Sequence, residues 1–209
     1  YCYPNSFTDE VLEVMASDPR LCRYLDMPFQ HISNPVLKKM NRKITRKEIE
    51  STMARVRRKL PDVAWRTTFI VGFPTETDQD FEELVDFVSE GHFQHLGIFL
   101  YSDEDNIRSS KFGDPVPLSL KEERKNRLME IQQKISREHH QKMVGSLQQV
   151  LVGGFSSETD LLLEGRNQYQ GPEVDGVVYI NEGNATSAGF HQVEITEAHE
   201  YDLVGKILN

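Results

Sequence analysis

The stretch that decides the fold is Thr67-Thr68-Phe69-Ile70-Val71-Gly72-Phe73-Pro74-Thr75-Glu76-Thr77. Its apolar residues predict a strand over 64–71, and the loop that follows leads into a predicted helix over 80–90. In parallel α/β folds and barrels, ligands bind at the carboxyl ends of strands. Gly72 would let a flat ring approach the main chain there, because it has no Cβ. The alternative is that Gly-Phe-Pro is only a tight turn that leads into the helix.

The pattern on both sides of this stretch alternates strands with helices. Strands are predicted at 23–27 and 96–101, and helices at 8–18 and 45–60, the second opened by a capping box from Thr45 to Glu48. A second capping box, Ser119 to Glu122, predicts a long polar helix up to about Met143. This alternation predicts an α/β domain with a parallel sheet. Because three strands alone would make a poor domain, we expect a barrel or half-barrel truncated at its front.

The chain changes character near Gly145. Five short segments with strand-like composition are separated by clusters of Gly, Asn, Ser and Pro, namely 147–152, 160–164, 176–180, 192–196 and 201–208. Such a pattern predicts a small closed all-β barrel of the oligonucleotide-binding type. We therefore expect two domains, residues 1–143 with the long helix as connector, and residues 144–209.

The charge is unevenly divided between these domains. The net charge of −9 arises from 22 basic and 23 acidic residues in 1–144, against 2 basic and 10 acidic residues in 145–209. An acidic surface repels the phosphates of nucleic acids and attracts basic proteins.

A second candidate site follows the strand at 23–27. Polar Gln30, His31 and Ser33 come at its carboxyl end, where they could bind a sugar or a carboxylate. The alternative is that Ser33 or Asn34 caps the next helix and that His31 is a structural loop residue. Asp103-Glu104-Asp105 after the last strand is interpreted as a solvated loop, and His139-His140 as exposed residues of a polar helix.

Several kinds of site and setting are disfavoured. The sequence has no Ser/His/Asp grouping, no phosphate-binding glycine loop and no metal-ligand spacing. Its two cysteines, Cys2 and Cys22, form neither a disulfide framework nor a metal motif, which favours a reducing cytoplasm. No apolar run approaches the roughly 18 residues of a membrane span. Because the chain begins without Met, we expect it to be a fragment.

Taken together, several segments resemble the radical S-adenosylmethionine (SAM) methylthiotransferases, in nearly the right order and spacing. These segments are 24–33, 42–43, 66–77, 101–102 and 122–132. The acidic tail resembles a TRAM domain, above all at 165–166, 173–179 and 200–205. Pro28-Phe29-Gln30-His31-Ile32 and the late Tyr201-Asp202-Leu203 are similar to the RimO branch of the family, whereas the MiaB branch usually shows Pro-Val-Gln-Ser-Gly at the first place.

The resemblance implies a partial (β/α) barrel followed by a TRAM domain. It also implies SAM and two [4Fe-4S] clusters as cofactors, one cluster to reduce SAM and one to supply sulfur. Neither Cys2 nor Cys22 matches the family's cluster-binding Cys-x3-Cys-x2-Cys motif. The cluster ligands are therefore absent from this chain, and we expect it to be inactive alone.

The resemblance also implies which residues contact SAM. Gln30 would bind ribose or methionyl polar groups, and Arg66 and Thr68, near the end of the next strand, would contact the carboxylate. Val71 and Gly72 would offer backbone and an apolar edge to adenine, and Tyr101 would close the pocket. The superfamily pattern Gly-x-Ile-x-Gly-x-x-Glu is matched only in part, since Thr68 holds the first Gly and Glu76 is one residue late.

The family offers two substrates. The RimO branch methylthiolates an aspartate of protein 12 of the small ribosomal subunit, a very basic protein, and the MiaB branch acts on an adenosine of tRNA. The acidic TRAM-like tail favours the basic protein and makes nucleic acid an unfavourable partner, because tRNA binding there would forfeit counterion release. A third interpretation is a non-catalytic binding module, which would bind no SAM.

Overall fold

The computed structural model describes residues 2–4, 7–103, 112–183 and 188–208. The chain divides into two compact units, Tyr1–Leu21 with Leu25–Gln132, and Gln133–Asn209 with Cys22–Tyr24. This division falls inside the long helix. The boundary between residues 143 and 144 that the sequence suggests stays a prediction.

The first unit is an α/β structure built on a three-stranded sheet. Its elements, in chain order, are α1 (Asp9–Ser17), β1 (Tyr24–Asp26), α2 (Asn34–Lys39), α3 (Arg46–Lys59), β2 (Ala64–Val71), α4 (Asp78–Ser89), β3 (His95–Leu100) and the first part of α5 (Leu118–Gln141). The strand order is β1-β2-β3. Strands β2 and β3 are parallel, with Arg66 opposite His95 and Val71 opposite Leu100. The predicted parallel sheet with helices is confirmed.

The two faces of β2 differ because side chains alternate along a strand. Trp65, Phe69 and Val71 are buried in the main apolar core. This core also contains Ile49, Met53 and Val56 of α3 and Phe81, Leu84, Val85, Phe87 and Val88 of α4. The intervening residues of β2, Arg66, Thr68 and Ile70, are outside that core. One face of the sheet is thus covered by helices, and the other carries the polar candidates.

Some of the predicted starts and ends of helices and strands agree with the structure, and others differ. Strand β2 has the predicted bounds, and the Thr45–Glu48 capping box of α3 is present. Helix α4 begins two residues early, at Asp78, because Thr77 and Asp80 form a capping box of their own. The capping box at Ser119 is wrong. Helix α5 starts at Leu118, and the Pro117 carbonyl accepts its first backbone hydrogen bonds, from Leu120 and Lys121.

The second unit contains a closed five-stranded barrel in the order β4-β5-β6-β8-β7. Its strands are β4 (Leu147–Phe155), β5 (Leu163–Arg166), β6 (Val178–Glu182), β7 (Gly189–Ala198) and β8 (Leu203–Ile207). They pair antiparallel except for β6 with β8. Its core is aliphatic, formed by Val150, Val152, Val178, Ile180, Val193, Ile195, Leu203 and Ile207. The predicted all-β barrel is confirmed, with the strand ends shifted by a few residues.

One prediction about α5 is wrong. His140 was expected to be exposed, but it is buried, and its Nδ1 lies 3.1 Å from the His199 carbonyl oxygen. Its partner His199 is 59 residues away in sequence, so the polar helix around His140 gives no sign of this burial. Across the described ranges, no helix is long and apolar enough to cross a membrane.

Candidate functional site

Two of the predicted site residues, Gly72 and Tyr101, meet at the carboxyl edge of the sheet, and a third, Gln30, pairs with β2 close to it. Gly72 and Tyr101 directly follow the paired residues Val71 and Leu100, and the Tyr101 amide donates to the Val71 carbonyl at 2.9 Å. Gln30 lies close to this edge, since its amide donates to the Thr68 carbonyl at 2.8 Å. Gln30 and Gly72 both have a left-handed backbone, with φ of 73° and 74°. Gly72 and Tyr101 therefore lie at the same level of the edge, and Gln30 lies beside Phe69, three residues earlier on β2.

The face of the sheet opposite the helices carries Arg66, Thr68 and Phe99. These side chains converge over Gly97, where an added Cβ would lie 3.5 Å from Arg66 Nη2, from Thr68 Oγ1 and from the Phe99 ring. Arg66 and Thr68 are each 9% exposed, whereas Phe99 is 59% exposed. A cation, a hydroxyl group and an exposed aromatic ring thus lie close together around Gly97.

Arg66 does not lie where the sequence suggested. It is the third residue of β2, five residues before Val71, which at the rise of a strand is roughly 16 Å away. Its Nε lies 3.6 Å from Asp26 Oδ2. The expectation that Arg66 is near the end of the strand is wrong, although it shares a face with Thr68.

Tyr101 belongs to an aromatic cluster beside the strand ends. The rings of Tyr101 and Phe73 meet edge to face with centroids 5.2 Å apart, and Phe112 packs on Phe73 at 6.0 Å. Val36 of α2 completes the buried part of the cluster. The Tyr101 hydroxyl is buried and has no hydrogen-bond partner within the part of the chain that the structure describes.

Glu76, the late acidic residue of the partly matched superfamily pattern, is buried and holds the turn after β2. Glu76 Oε2 accepts from the amides of Gly72 at 2.8 Å and Phe73 at 3.3 Å. Its Oε1 accepts from Arg124 Nη1 at 2.7 Å, and both side chains are almost fully buried. Burial raises the pKa of Glu76, while Arg124 and the two amides oppose that rise.

His31 and Ser33 belong to the same buried region as Glu76. Both are fully buried. The Ser33 amide donates to His31 Nδ1 at 3.0 Å, and the Ser33 hydroxyl donates to Asp80. Asp80 also accepts from the Thr77 hydroxyl at 2.6 Å. Their burial and their hydrogen bonds to each other and to Asp80 favour the alternative in which His31 and Ser33 are structural residues. Ser33 does occupy the N-cap position of α2, although its side chain makes no capping hydrogen bond.

Helix α5 contributes a second buried cation. Lys121 Nζ donates to the Tyr101 carbonyl at 2.7 Å and to Asp114. Its methylene groups occupy the space beside Gly72, where an added Cβ would overlap Lys121 Cγ and lie 2.9 Å from Cδ. The side of Gly72 that a Cβ would fill is thus covered by protein, and a ligand would have to approach this turn from another side.

Sequence signals could have found part of this network. Thr77 and Asp80 have capping-box spacing, and a carboxylate just after a strand-end glycine is a natural acceptor for the turn's amides. By contrast, Lys121 and Arg124 are more than forty residues from Gly72 in sequence and carry no local signal. Asp103 is exposed, and Glu104 and Asp105 lie outside the described residues.

The residues suit one implied cofactor and not the other. A guanidinium and a hydroxyl above a glycine floor suit the carboxylate of SAM, and the exposed Phe99 suits a flat ring. For a [4Fe-4S] cluster the chain has only Cys2 and Cys22, partly buried and exposed, respectively. In the described ranges, no three His, Cys, Asp or Glu side chains form a metal-binding group. The described residues therefore do not fit a cluster.

Comparison with protein families finds one match in each unit. Residues 1–88 match the radical SAM superfamily, and residues 144–208 match the TRAM domain. The first match covers β1, β2, α1–α3 and all but the last residue of α4, and the second covers the closed barrel.

Similar proteins extend this result along the whole chain. The chain is 43% identical over 209 residues to the ribosomal protein uS12 methylthiotransferase RimO of Geobacter sulfurreducens. It is 47% identical over 208 residues to the protein of that name in Bdellovibrio bacteriovorus and 46% identical over 209 residues to that of Desulfotalea psychrophila. In each case the whole chain is aligned, to 47%, 46% and 47% of the relative's length, respectively. The chain thus spans about half the length of the curated relatives it matches.

Proposed function

Because this chain belongs to the RimO-type radical SAM methylthiotransferases, we propose that it takes part in adding a methylthio group to an aspartate of ribosomal protein uS12. The observation that carries the proposal is the identity of 43–47% along all of the chain to three relatives that bear this name. A shared fold alone would not support a shared substrate, because one fold hosts many functions.

In this proposal the first unit forms part of a SAM pocket. Thr68, with Arg66 beside it, would hold the carboxylate above Gly97, and Gln30 would hydrogen-bond the ribose or methionyl groups. The backbone of Val71 and Gly72 and the ring of Tyr101 would border the adenine. When bound, SAM supplies the radical chemistry of the family. Since the described residues do not fit a [4Fe-4S] cluster, we expect no methylthiolation by this chain by itself.

Residues 144–209, which lie within the second unit, would act as the TRAM domain that recognises the substrate. With 10 acidic and 2 basic residues in 145–209, it would attract a basic protein and repel the phosphates of tRNA. A basic ribosomal protein in the cytoplasm is therefore the proposed partner, and the tRNA-modifying activity of the MiaB branch is the alternative that the charge disfavours.

A titration tests the substrate. The 209-residue chain is titrated with uS12 and with bulk tRNA at low and at moderate salt. We expect saturable binding to uS12 that weakens as salt rises, because screening reduces attraction between exposed charges. Stronger binding to tRNA would contradict the proposal and the charge argument, and would favour the tRNA-modifying branch.

A further inference from the structure

Two cations on one face of α5 reach the ends of both neighbouring strands. Lys121 and Arg124 are three residues apart, so they lie on adjacent turns of the same helix face. Lys121 is 3% exposed and Arg124 is 4% exposed, although Lys and Arg are rarely buried without partners. Burial of two neighbouring cations at a strand edge calls for an explanation beyond a solvated helix surface.

Arg124 acts on β2 through Glu76. One end of its guanidinium donates to Glu76 Oε1, and the other Glu76 oxygen accepts from the Gly72 and Phe73 amides. Nη2 donates to Asp78 at 2.6 Å, and the guanidinium carbon lies 5.1 Å from the centre of the Phe81 ring. Arg124 is therefore fixed on several sides, and its removal would leave a buried carboxylate without its countercharge.

Lys121 acts on β3 and on Gly72 directly. Its ammonium donates to the Tyr101 carbonyl and lies 5.5 Å from the centre of the Tyr101 ring. Its side chain fills the space that a Cβ on Gly72 would take. Gly72 and Tyr101 follow paired residues, so this one lysine contacts both strand ends at the same level of the sheet.

We propose that Lys121 and Arg124 are positioning residues that fix the backbone of Gly72, Phe73 and Tyr101 for ligand binding at the strand edge. The inference rests on the proposed function, because the ligand of that edge is taken to be SAM. Neither cation needs to touch the ligand. They act by holding the turn after β2 and the end of β3 in one geometry, and small displacements of such groups weaken binding strongly.

The test compares Arg124→Gln with Arg127→Gln in the full chain. Arg127 is the matched control, because it lies on the next turn of α5 and forms an ion pair with Glu82, but is exposed. Hydrogen exchange of peptides covering 72–77 reports the turn, and calorimetry with S-adenosylhomocysteine reports the pocket. We expect Arg124→Gln to speed exchange in 72–77 and to weaken binding about tenfold or more, with Arg127→Gln changing neither.

A second pair of variants separates positioning from general loss of stability. Gly72→Ala alone should weaken S-adenosylhomocysteine binding, because its Cβ would collide with Lys121 and its φ of 74° disfavours a side chain. Adding Lys121→Ala removes the collision, so the double variant should lose less affinity than the two single losses combined. Full additivity of the two losses would overturn the role of Lys121.

The two readouts keep the inference and the proposed function apart. If the unaltered chain binds S-adenosylhomocysteine but Arg124→Gln leaves exchange and affinity unchanged, the positioning role is overturned and the pocket stands. If Arg124→Gln speeds exchange but the unaltered chain binds no S-adenosylhomocysteine, the proposed pocket is overturned, and the positioning role toward a ligand is overturned with it.

Discussion

His31 shows how burial changes the chemistry of one side chain. It is fully buried behind the strand edge, its Nδ1 accepts from the Ser33 amide, and its Nε2 lies 3.8 Å from Glu76 Oε2. Burial lowers the pKa of His31 from 6.5 to about 4, with Asp80 opposing this shift and Arg124 adding to it. The imidazole is therefore neutral in the folded protein at neutral pH.

This depressed pKa predicts a pH dependence of stability. Between pH 6.5 and about 4 the unfolded chain binds a proton at His31 that the folded chain does not, so stability falls as pH falls through this window. The contribution of His31 is complete above pH 6.5, and its loss by pH 4 amounts to about 3 kcal/mol. Urea unfolding of the chain and of His31→Asn, followed by fluorescence of the single Trp65, measures it.

The His31→Asn variant should be less stable at neutral pH but should lose less stability on acidification. His199→Asn is the control, because the His199 side chain is exposed. Equal pH slopes for the unaltered chain and His31→Asn would show that His31 does not titrate in this window.

For single residues, the sequence predicts the backbone conformation, such as a turn, better than it predicts which side chains contact each other. Gly72 at a strand end, with a chain turn after it, follows from local composition. The burial of His31 and the pairing of Glu76 with Arg124 do not, because those contacts join residues 45 to 48 positions apart. Sequence predicts that Arg66 is on β2 but puts it near the end of the strand, whereas it lies near the start. An apolar strand gives no sign of which of its residues meets a ligand.

Among the elements, α3 owes its start to a capping box. Thr45 Oγ1 accepts from the Glu48 amide, and Glu48 Oε2 accepts from the Thr45 amide at 2.8 Å. Thr45→Ala removes the acceptor for the Glu48 amide and should lower the free energy of unfolding by about 1 kcal/mol. Denaturant unfolding followed by Trp65 fluorescence checks this. Lys47→Ala, an exposed change in the same turn, should have little effect, and an equal loss there would contradict the capping explanation.

The barrel depends on a glycine where two strands come close. Gly205 of β8 is opposite Ile195 of β7, and an added Cβ would lie 2.7 Å from the Glu194 carbonyl oxygen and 2.5 Å from Val193 Cγ1. Because one of these neighbours is backbone, Gly205→Ala should cost about 1–3 kcal/mol. Hydrogen exchange of peptides from 147–155 and 189–198 measures the loosening of the barrel.

Gly153 supplies the matched control for Gly205. Its added Cβ would meet nothing nearer than the Glu164 carbonyl oxygen at 3.9 Å, so Gly153→Ala should leave exchange in the barrel nearly unchanged. If both variants loosened the barrel equally, the crowding at Gly205 would not be the cause.

Element types were predictable because hydrophobic period and turn residues are local properties. Element ends were less so. Strand β4 continues to Phe155, past the predicted end at Val152, because a bulge between Val152 and Gly154 lets pairing with β5 resume. That irregularity depends on the partner strand, which a sequence window does not contain. The start of α5 also differs from the prediction. The helix begins at Leu118 without the Ser119 capping box, because a capping box is only one of several ways to begin a helix.

On the scale of the whole molecule, charge and architecture divide together. Residues 1–144 are nearly neutral, and residues 145–209, which contain all five strands of the barrel, carry almost all of the negative charge. Both the uneven charge and the barrel are predictable from the sequence, because charged residues can be counted directly and the spacing of short strands is a local pattern. Recognition of uS12 by the acidic residues of 145–209 is a proposal. Its test must distinguish an effect of where the negative charges lie from an effect of the total charge.

Two sets of four substitutions make that separation. One set neutralises exposed acids of the barrel unit, Glu158→Gln, Asp160→Asn, Glu173→Gln and Glu182→Gln. The matched set neutralises exposed acids of the other unit, Glu10→Gln, Asp86→Asn, Glu122→Gln and Glu130→Gln. Each set removes four negative charges, so the two variants have the same net charge and differ only in which unit changed.

If the barrel unit recognises uS12, the first set should weaken uS12 binding about tenfold at low salt, because acids near an interface steer a basic partner. The second set should have a much smaller effect, because its acids lie in the unit that is not proposed to contact uS12. The difference in uS12 affinity between the two variants should decrease as the salt concentration rises. Equal losses from both sets would mean that total charge alone attracts the basic protein, and recognition would then have to be sought outside the acidic barrel.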